Sequence, residues 1–222
     1  GINIEAIIDN REEIDSKLIK EAEKNNIKIY KGFTVVNTFG YKRINKISIM
    51  QLSKDGQKVV GSKISIACDC LGISGGWTPA VHLFTQSGGK LKFRDEDQVF
   101  IPDIYPSDQI SIGSCNGDFT LDEIISSIPN KLKEFLNVKK TDYENLEIYS
   151  AFNKSKRNIW LLPSDKVIGK TKPFVDYQND ATAKDIKLAL REGFRSIEHV
   201  KRYTTTGMGT DQGKLGNMHA LG

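Results

Sequence analysis

The first thirty residues of the chain place one amphipathic stretch between two short apolar runs. Residues 4–8 are a mostly apolar run with β-branched side chains, interrupted by Glu5, and they end at Asp9-Asn10-Arg11. Within residues 12–26, Ile14, Leu18, Ile19 and Ala22 recur at the spacing of one helix face, and Ile27-Lys28-Ile29-Tyr30 returns to a strand pattern. The order predicts strand, helix, strand, and such a unit implies a parallel α/β sheet.

Beyond it the pattern changes. Residues 33–37, 44–52 and 59–68 are apolar-alternating runs separated by Gly40, Asp55-Gly56 and Gly61, which predicts antiparallel strands joined by tight turns. Residues 71–90 hold Gly72, Gly75, Gly76, Pro79, Gly88 and Gly89 and are expected to be irregular chain crossing between substructures. Residues 90–101 return to strand around a turn at 95–97. Ile110-Ser111-Ile112 then leads as a strand into Gly113-Ser114-Cys115-Asn116-Gly117, and residues 120–136 carry helical periodicity that Pro129 is expected to kink or split.

Residues 137–173 are polar and read as a connecting segment, with Ile159-Trp160-Leu161-Leu162-Pro163 as its apolar cluster. A last module starts at Phe174. Thr182-Ala183-Lys184-Asp185 is a capping box with Asp in place of Glu, and Ile186, Ala189 and Leu190 supply the buried face of the helix it starts. Ser196 caps a second helix running to Tyr203, with Ile197, Val200 and Tyr203 on one side, and Gly207-Met208-Gly209 ends it.

Composition narrows the class. A chain of 222 residues with 38% hydrophobic and 27% charged residues buries a sizeable core, which excludes a disordered or fibrous protein. No apolar run reaches the ~18 residues that span a bilayer. The chain opens without Met on residues that read as a strand already under way, so it is expected to be a piece of something longer. Of its Cys residues, Cys68 and Cys70 lie on one strand-like run where a mutual bridge is not expected. With Cys115 the count of three makes no disulfide framework, and a reducing, cytoplasmic setting is expected. The net charge of +4 is concentrated: residues 182–222 hold seven Lys/Arg and four Asp/Glu. An excess that small suits a phosphate-bearing ligand better than a long nucleic acid.

Several constellations carry candidate chemistry, each with a plainer alternative. Gly113, Ser114 and Gly117 ahead of a helix would present backbone N–H groups to an anion, as nucleotide folds do, or simply make a left-handed turn. Asp9 ends a strand where a Rossmann domain places the acid that binds a ribose hydroxyl, yet no glycine fingerprint precedes it, and a helix cap is the alternative. Cys68-Asp69-Cys70 lacks the further ligands that zinc or an iron–sulfur cluster needs. His82, His199 and His219 are scattered, and no Ser/His/Asp, His-Glu-x-x-His or Walker pattern occurs. The run Lys201-Arg202-Tyr203-Thr204-Thr205-Thr206-Gly207-Met208-Gly209 joins two cations, three hydroxyls and two glycines. It could meet a phosphate or a flavin edge, or the cations could merely complement the helix dipole.

Read together, the segments resemble the alpha subunits of heterotetrameric sarcosine oxidases. Two runs carry the resemblance: Ser74-Gly75-Gly76-Trp77-Thr78-Pro79-Ala80-Val81-His82-Leu83-Phe84-Thr85-Gln86-Ser87-Gly88-Gly89-Lys90-Leu91, and residues 174–217 from Phe174-Val175-Asp176-Tyr177-Gln178-Asn179-Asp180 to Gly213-Lys214-Leu215-Gly216-Asn217. The resemblance implies an α/β fold in which residues 1–136 are part of a disulfide-reductase-like, Rossmann-type dinucleotide-binding domain. Residues 137–173 connect it to a small helical module, 174–222, at the FMN and beta-subunit interface.

In related amino-acid and opine dehydrogenase alpha subunits a similar module looks like a holder of a two-iron two-sulfur cluster. The corresponding positions here are Asp176, Gln178, Asp211 and Gly216, and no Cys follows Cys115, so the resemblance implies a cluster-free module.

The implied complex oxidatively demethylates sarcosine to glycine, with oxygen reduced to hydrogen peroxide and the one-carbon unit passed to tetrahydrofolate. Its partners would be beta, gamma and delta subunits, with FAD in beta, FMN shared between alpha and beta, and folate bound in a domain outside this chain. The chain itself is expected to hold no amine-oxidising residue. Lys201, Arg202, Thr205, Thr206, Gly207, Met208 and Lys214 are expected on the FMN side, and Gly113, Ser114, Gly117 and Asp9 beside NAD. A dehydrogenase alpha subunit and a non-catalytic nucleotide-binding scaffold remain the alternatives.

Overall fold

The structure is a computed structural model that describes residues 1–14, 17–106, 108–137 and 159–222. It divides into two compact units. The first comprises residues 1–7, 11–31 and 71–158, and the second residues 8–10, 32–70 and 159–222. The expected connecting segment 137–173 lies largely outside the described residues.

The predicted strand–helix–strand order holds, as β1 (Ala6–Asp9), α1 (Lys17–Lys24) and β2 (Lys28–Lys31), and β1 pairs with β2. Helix α1 buries Ala22 and stops where Asn26 takes a positive φ of 57°, which a short polar side chain tolerates. Among the described residues the strands of this opening unit form a two-stranded sheet, β1-β2. No sheet there exceeds three strands. The later strands are joined by tight hairpin turns, a connection that dictates antiparallel pairing.

Residues 71–90 are not wholly irregular. They contain α2 (His82–Gln86), whose Phe84 is buried and meets the Tyr105 ring edge-on at 5.0 Å. Gly89 is needed there, because an added Cβ would lie 2.4 Å from the Phe84 ring. β6 (Lys90–Arg94) and β7 (Val99–Ile104) form the predicted hairpin, and Arg94 closes its turn by donating from Nε to Asp97 at 2.7 Å.

Residues 110–112 form no strand, and Gly113–Asn116 are a 3₁₀ turn instead. Ile112 keeps an extended backbone, with φ −133° and ψ 145°, but the left-handed Gly113 turns the chain directly after it. Helix α3 (Leu121–Leu136) runs through Pro129 without splitting. Its ends are secured independently of the proline, by a capping box in which Thr120 and Glu123 satisfy each other's backbone N–H groups and by a left-handed Asn137.

In the second unit, β3 (Phe33–Gly40), β4 (Ile44–Leu52) and β5 (Val59–Ala67) form the predicted antiparallel sheet in the order β3-β4-β5. β4 is central and buries Ile47, Ser48, Ile49 and Met50 in succession, so both of its faces are covered. The Asp55-Gly56 hairpin is tied by Asp55 accepting from Ser53 Oγ and from the Gln57 N–H. The register jumps from Ile49↔Ile64 to Gln51↔Val60, a bulge at Gly61, whose φ is 75°.

The C-terminal module of this unit begins after a 3₁₀ turn at Ile168–Lys170. β8 (Phe174–Asp176) and β9 (Ala181–Thr182) make a short hairpin. α4 (Ala183–Arg191), α5 (Ile197–Thr204) and α6 (Gly216–Leu221) follow. Thr182 and Asp185 form the predicted capping box, with Asp185 accepting from the Thr182 N–H at 2.8 Å.

The buried seam is narrower than the periodicity implied. Ala189 and Val200 are buried, whereas Leu190, Ile197 and Tyr203 are exposed. Two-turn helices bury only the residues along their contact line, and Phe194, its ring centroid 4.9 Å from that of Tyr203 and tilted to it, stands in the α4–α5 corner. Ser196 occupies the N-cap of α5 without a side-chain bond; its carbonyl accepts from His199 and Val200.

Candidate functional site

Helix α5 ends where Thr205 and Gly207 take left-handed backbone, and a polar turn holds the loop that follows. Thr205 takes a φ of 59°, a conformation unfavourable for a β-branched residue, and Gly207 follows at 71°. Thr206 is buried and shares a hydroxyl–hydroxyl bond of 2.7 Å with Thr204, whose own hydroxyl also lies 2.8 Å from the Val200 carbonyl.

Under this loop sits Asp176, only 4% exposed at the end of β8. One of its carboxylate oxygens accepts from the N–H groups of Gln178 and Asn179 at 2.8 and 3.1 Å. The other accepts from the Gly207 N–H at 2.7 Å and from Asn179 Nδ2 at 3.4 Å. Burial pushes the carboxyl up, but these donors favour the charged form more strongly and hold it below the usual aspartate range.

The same turn grips the loop at two more points. Asn179 Nδ2 donates to the Thr205 carbonyl at 3.0 Å, and the Gln178 side-chain carbonyl accepts from the Thr210 N–H and hydroxyl at 2.6 and 2.9 Å. Farther on, Asp211 accepts from the N–H groups of Gly213 and Leu215. Asn217 fills the space beside two glycines, where a Cβ at Gly207 or Gly213 would lie 2.2 Å from its Oδ1. Gly216 lies against the Val175 carbonyl, 3.1 Å from where its Cβ would be. Three of the four positions named for cluster cysteines are therefore hydrogen-bonding side chains, and the fourth is a close-packed glycine.

The residues expected on the FMN side divide into two kinds. The Thr206 hydroxyl and Gly207 N–H are buried and committed to bonds within the loop. Arg202, Thr205, Met208 and Lys214 are exposed, and Lys201 is half-buried. Among the described residues no ion pair engages Lys201, Arg202 or Lys214. Cations with a hydroxyl and a methionine on an exposed surface are a donor set that fits an anionic flavin phosphate and its apolar ring.

In the first unit, Gly113 is buried at a φ of 77° and Ser114 is exposed. Gly117 is fixed by packing, since its Cβ would approach Ile101 to 2.7 Å, and its carbonyl accepts from Arg94 at 2.8 Å. The N–H groups of Gly117 and Asp118 are spent on Ser114 and Gly113, and the first turn of α3 is served by its own capping box. Ser114 is exposed beside this turn. Asp9 closes β1, half-buried, and residues 8–10 group with the second unit.

The histidines sit in packing contacts or on the surface: His199 against Phe194, His219 against Trp160, and His82 in the first turn of α2. Among the described residues no group of His, Cys, Asp and Glu could hold a metal ion, and Cys68, Cys70 and Cys115 are free thiols. No described helix is long and apolar enough to cross a membrane. The residues missed from sequence are Asp176, Gln178, Asn179 and Asn217 as anchors of the loop. Their trace was the polar run after Val175, a composition typical of side chains that bond local backbone.

Residues 170–222 match the family described as the sarcosine oxidase A3 domain. Over 100% of its length the chain is 30% identical to sarcosine oxidase subunit alpha of Rhizobium meliloti, and over 98% it is 29% identical to that of Corynebacterium sp. strain U-96. It spans 21% and 23% of those proteins, about a fifth of the curated relatives it matches. The likeness to sarcosine oxidase alpha subunits thus runs along the whole chain. L-proline dehydrogenase from P. horikoshii shares its fold at a TM-score of 0.51 and 16% identity, over 97% of this chain and 44% of that one. The chain accordingly has a mixed α/β fold with a neighbour among oxidoreductases.

Proposed function

We propose that the chain is a segment of the alpha subunit of a sarcosine oxidase. The complex demethylates sarcosine oxidatively to glycine, with oxygen as acceptor, hydrogen peroxide as product, and 5,10-methylenetetrahydrofolate or formaldehyde carrying the carbon. The observation that carries this reading is the 30% identity maintained over the entire chain. In it the amine is oxidised at FAD in the beta subunit, and the gamma and delta subunits complete a cytoplasmic assembly.

This segment contributes binding surfaces rather than an oxidising residue. The module 174–222, which has no Cys, carries no iron–sulfur cluster. Lys201, Arg202 and Lys214 hold the FMN phosphate by charge, Thr205 adds a hydroxyl, and Met208 offers a soft apolar contact to the ring. Thr206 and Gly207 act from beneath, shaping the loop. When bound, FMN supplies an electron acceptor between the amine site and oxygen. In the dinucleotide-binding part, residues 1–136, Gly113, Ser114 and Gly117 are the residues that would border NAD, and Asp9, which groups with the other unit, is the candidate acceptor for a ribose hydroxyl.

The test is made on the purified full-length complex. Sarcosine should yield peroxide, and extraction should release FMN and NAD. Replacing both Lys201 and Arg202 by Ala should lower FMN content while FAD stays constant. Unchanged FMN would overturn the assignment of the loop, and turnover with a respiratory acceptor but no peroxide would place the complex among dehydrogenases instead.

A further inference from the structure

The loop after α5 is conformationally costly, and three of the side chains that hydrogen-bond its backbone come from one turn, residues 176–179. Thr205 in the left-handed region costs energy that persists only where the surroundings over-determine the geometry. The turn at residues 176–179 supplies that determination at three heights: Asn179 on the Thr205 carbonyl, Asp176 on the Gly207 N–H, and Gln178 on the Thr210 N–H and hydroxyl. Asp176 itself is locked by the N–H groups of Gln178 and Asn179, so the three side chains form one unit.

The polar atoms of the anchors are committed to the loop: the exposed Gln178 and Asn179 spend their side-chain oxygen and Nδ2 on Thr210 and Thr205. Asp176 is buried, and a negative charge is the wrong sign for an anionic cofactor. What the unit does is hold the exposed Thr205 and Met208 in a fixed presentation on either side of a buried Gly207. Glycines at 207, 209 and 213 let the backbone come close enough, since a Cβ at Gly209 would lie 2.3 Å from the Gln178 side-chain oxygen.

We infer that Asp176, Gln178 and Asn179 are positioning residues, a polar clamp that presets the 205–210 loop for its cofactor. The clamp is a property of the fold; that the cofactor is FMN rests on the function proposed above. A preset loop lowers the ordering cost of binding, which is where such residues exert their effect.

The experiment uses the full-length subunit in its assembled complex, with the variants Asp176→Asn, Gln178→Leu and Gln178→Glu. Amide hydrogen exchange is followed in the 205–210 loop and in α4 and α5, and FMN content is measured in parallel. A bond to a charged or well-aligned acceptor is lost in the first two variants, so exchange in the loop should rise about ten-fold or more with α4 unchanged. Gln178→Glu keeps an acceptor oxygen toward Thr210 and should retain the loop's protection. FMN content should fall in Asp176→Asn and Gln178→Leu.

Faster exchange spreading equally over α4 and α5 would overturn the clamp in favour of general stabilisation, as would an unaltered loop. Should Asp176→Asn prevent assembly, the contrast between Gln178→Leu and Gln178→Glu decides alone, and equal exchange in those two overturns the clamp. A loop loosened in Gln178→Leu with FMN fully retained upholds the clamp and overturns the flavin assignment.

Discussion

The β3–β5 sheet and the C-terminal module are stabilised in opposite ways. The sheet centres on β4, where Ile47, Ile49, Met50 and Leu52 leave water almost completely. The module has a thin apolar seam of Val175, Ala181, Ala189 and Val200, and its loop is secured by a buried carboxylate, hydroxyls and close-packed glycines. An apolar core tolerates substitutions that conserve volume, whereas a polar node fails when a single partner is lost, because the remaining groups stay buried without bonds. The first arrangement suits a scaffold and the second suits a surface whose shape must be exact.

The largest expected effect is in the sheet. Ile49→Ala removes a fully buried side chain and should cost about 2–5 kcal/mol in denaturant unfolding of the full-length subunit. A cost well under that range would mean that β4 is less central than its burial indicates. Asp176→Asn places a donor against the Gly207 N–H and should cost about 1.5–3 kcal/mol.

The Asp176 effect has a defined pH dependence. The folded carboxyl lies below its ordinary value of 3.8, so its contribution is fully present above that pH and is lost as pH falls through the folded value. The stability gap between wild type and Asp176→Asn should therefore be constant near neutrality and close in acid. A gap that widened on acidification would contradict the placement of the charge.

Gly207→Ala adds a Cβ at positive φ and 2.2 Å from Asn217 Oδ1, and about 1–2 kcal/mol is expected from the backbone alone. Pairing it with Asn217→Ala should recover part of the loss if the collision matters. The smallest effect belongs to Thr182→Ala at the α4 cap, about 1 kcal/mol, measurable as a lowered unfolding midpoint.

How legible each region was follows from its chemistry. Alternating apolar runs and Asp55-Gly56 announced β3, β4 and β5 because strand faces repeat every second residue and hairpin turns have a local sequence code. Thr182 through Asp185 announced α4 for the same reason, since a capping box is satisfied within one turn. Residues 110–112 were misleading because the triplet Ile-Ser-Ile is too short to separate strand from extended coil, and Gly113 and Gly117 then imposed the turn. Lys201, Arg202 and the three threonines stood out by composition, but their division into exposed and committed groups did not.

Local order and kinship were therefore determined by the sequence itself: hairpins, capped helices, the crowding of positive charge into residues 182–222, and the family likeness along the chain. The tertiary structure decided which groups have bonds to spare. Asp176 and Gly207 are thirty-one residues apart, and nothing in their separate neighbourhoods foretells that one will accept the other's N–H in a buried site. Local signals arise from interactions within a turn or a strand pair, whereas a long-range polar contact exists only after the chain has folded and water has been excluded from both partners.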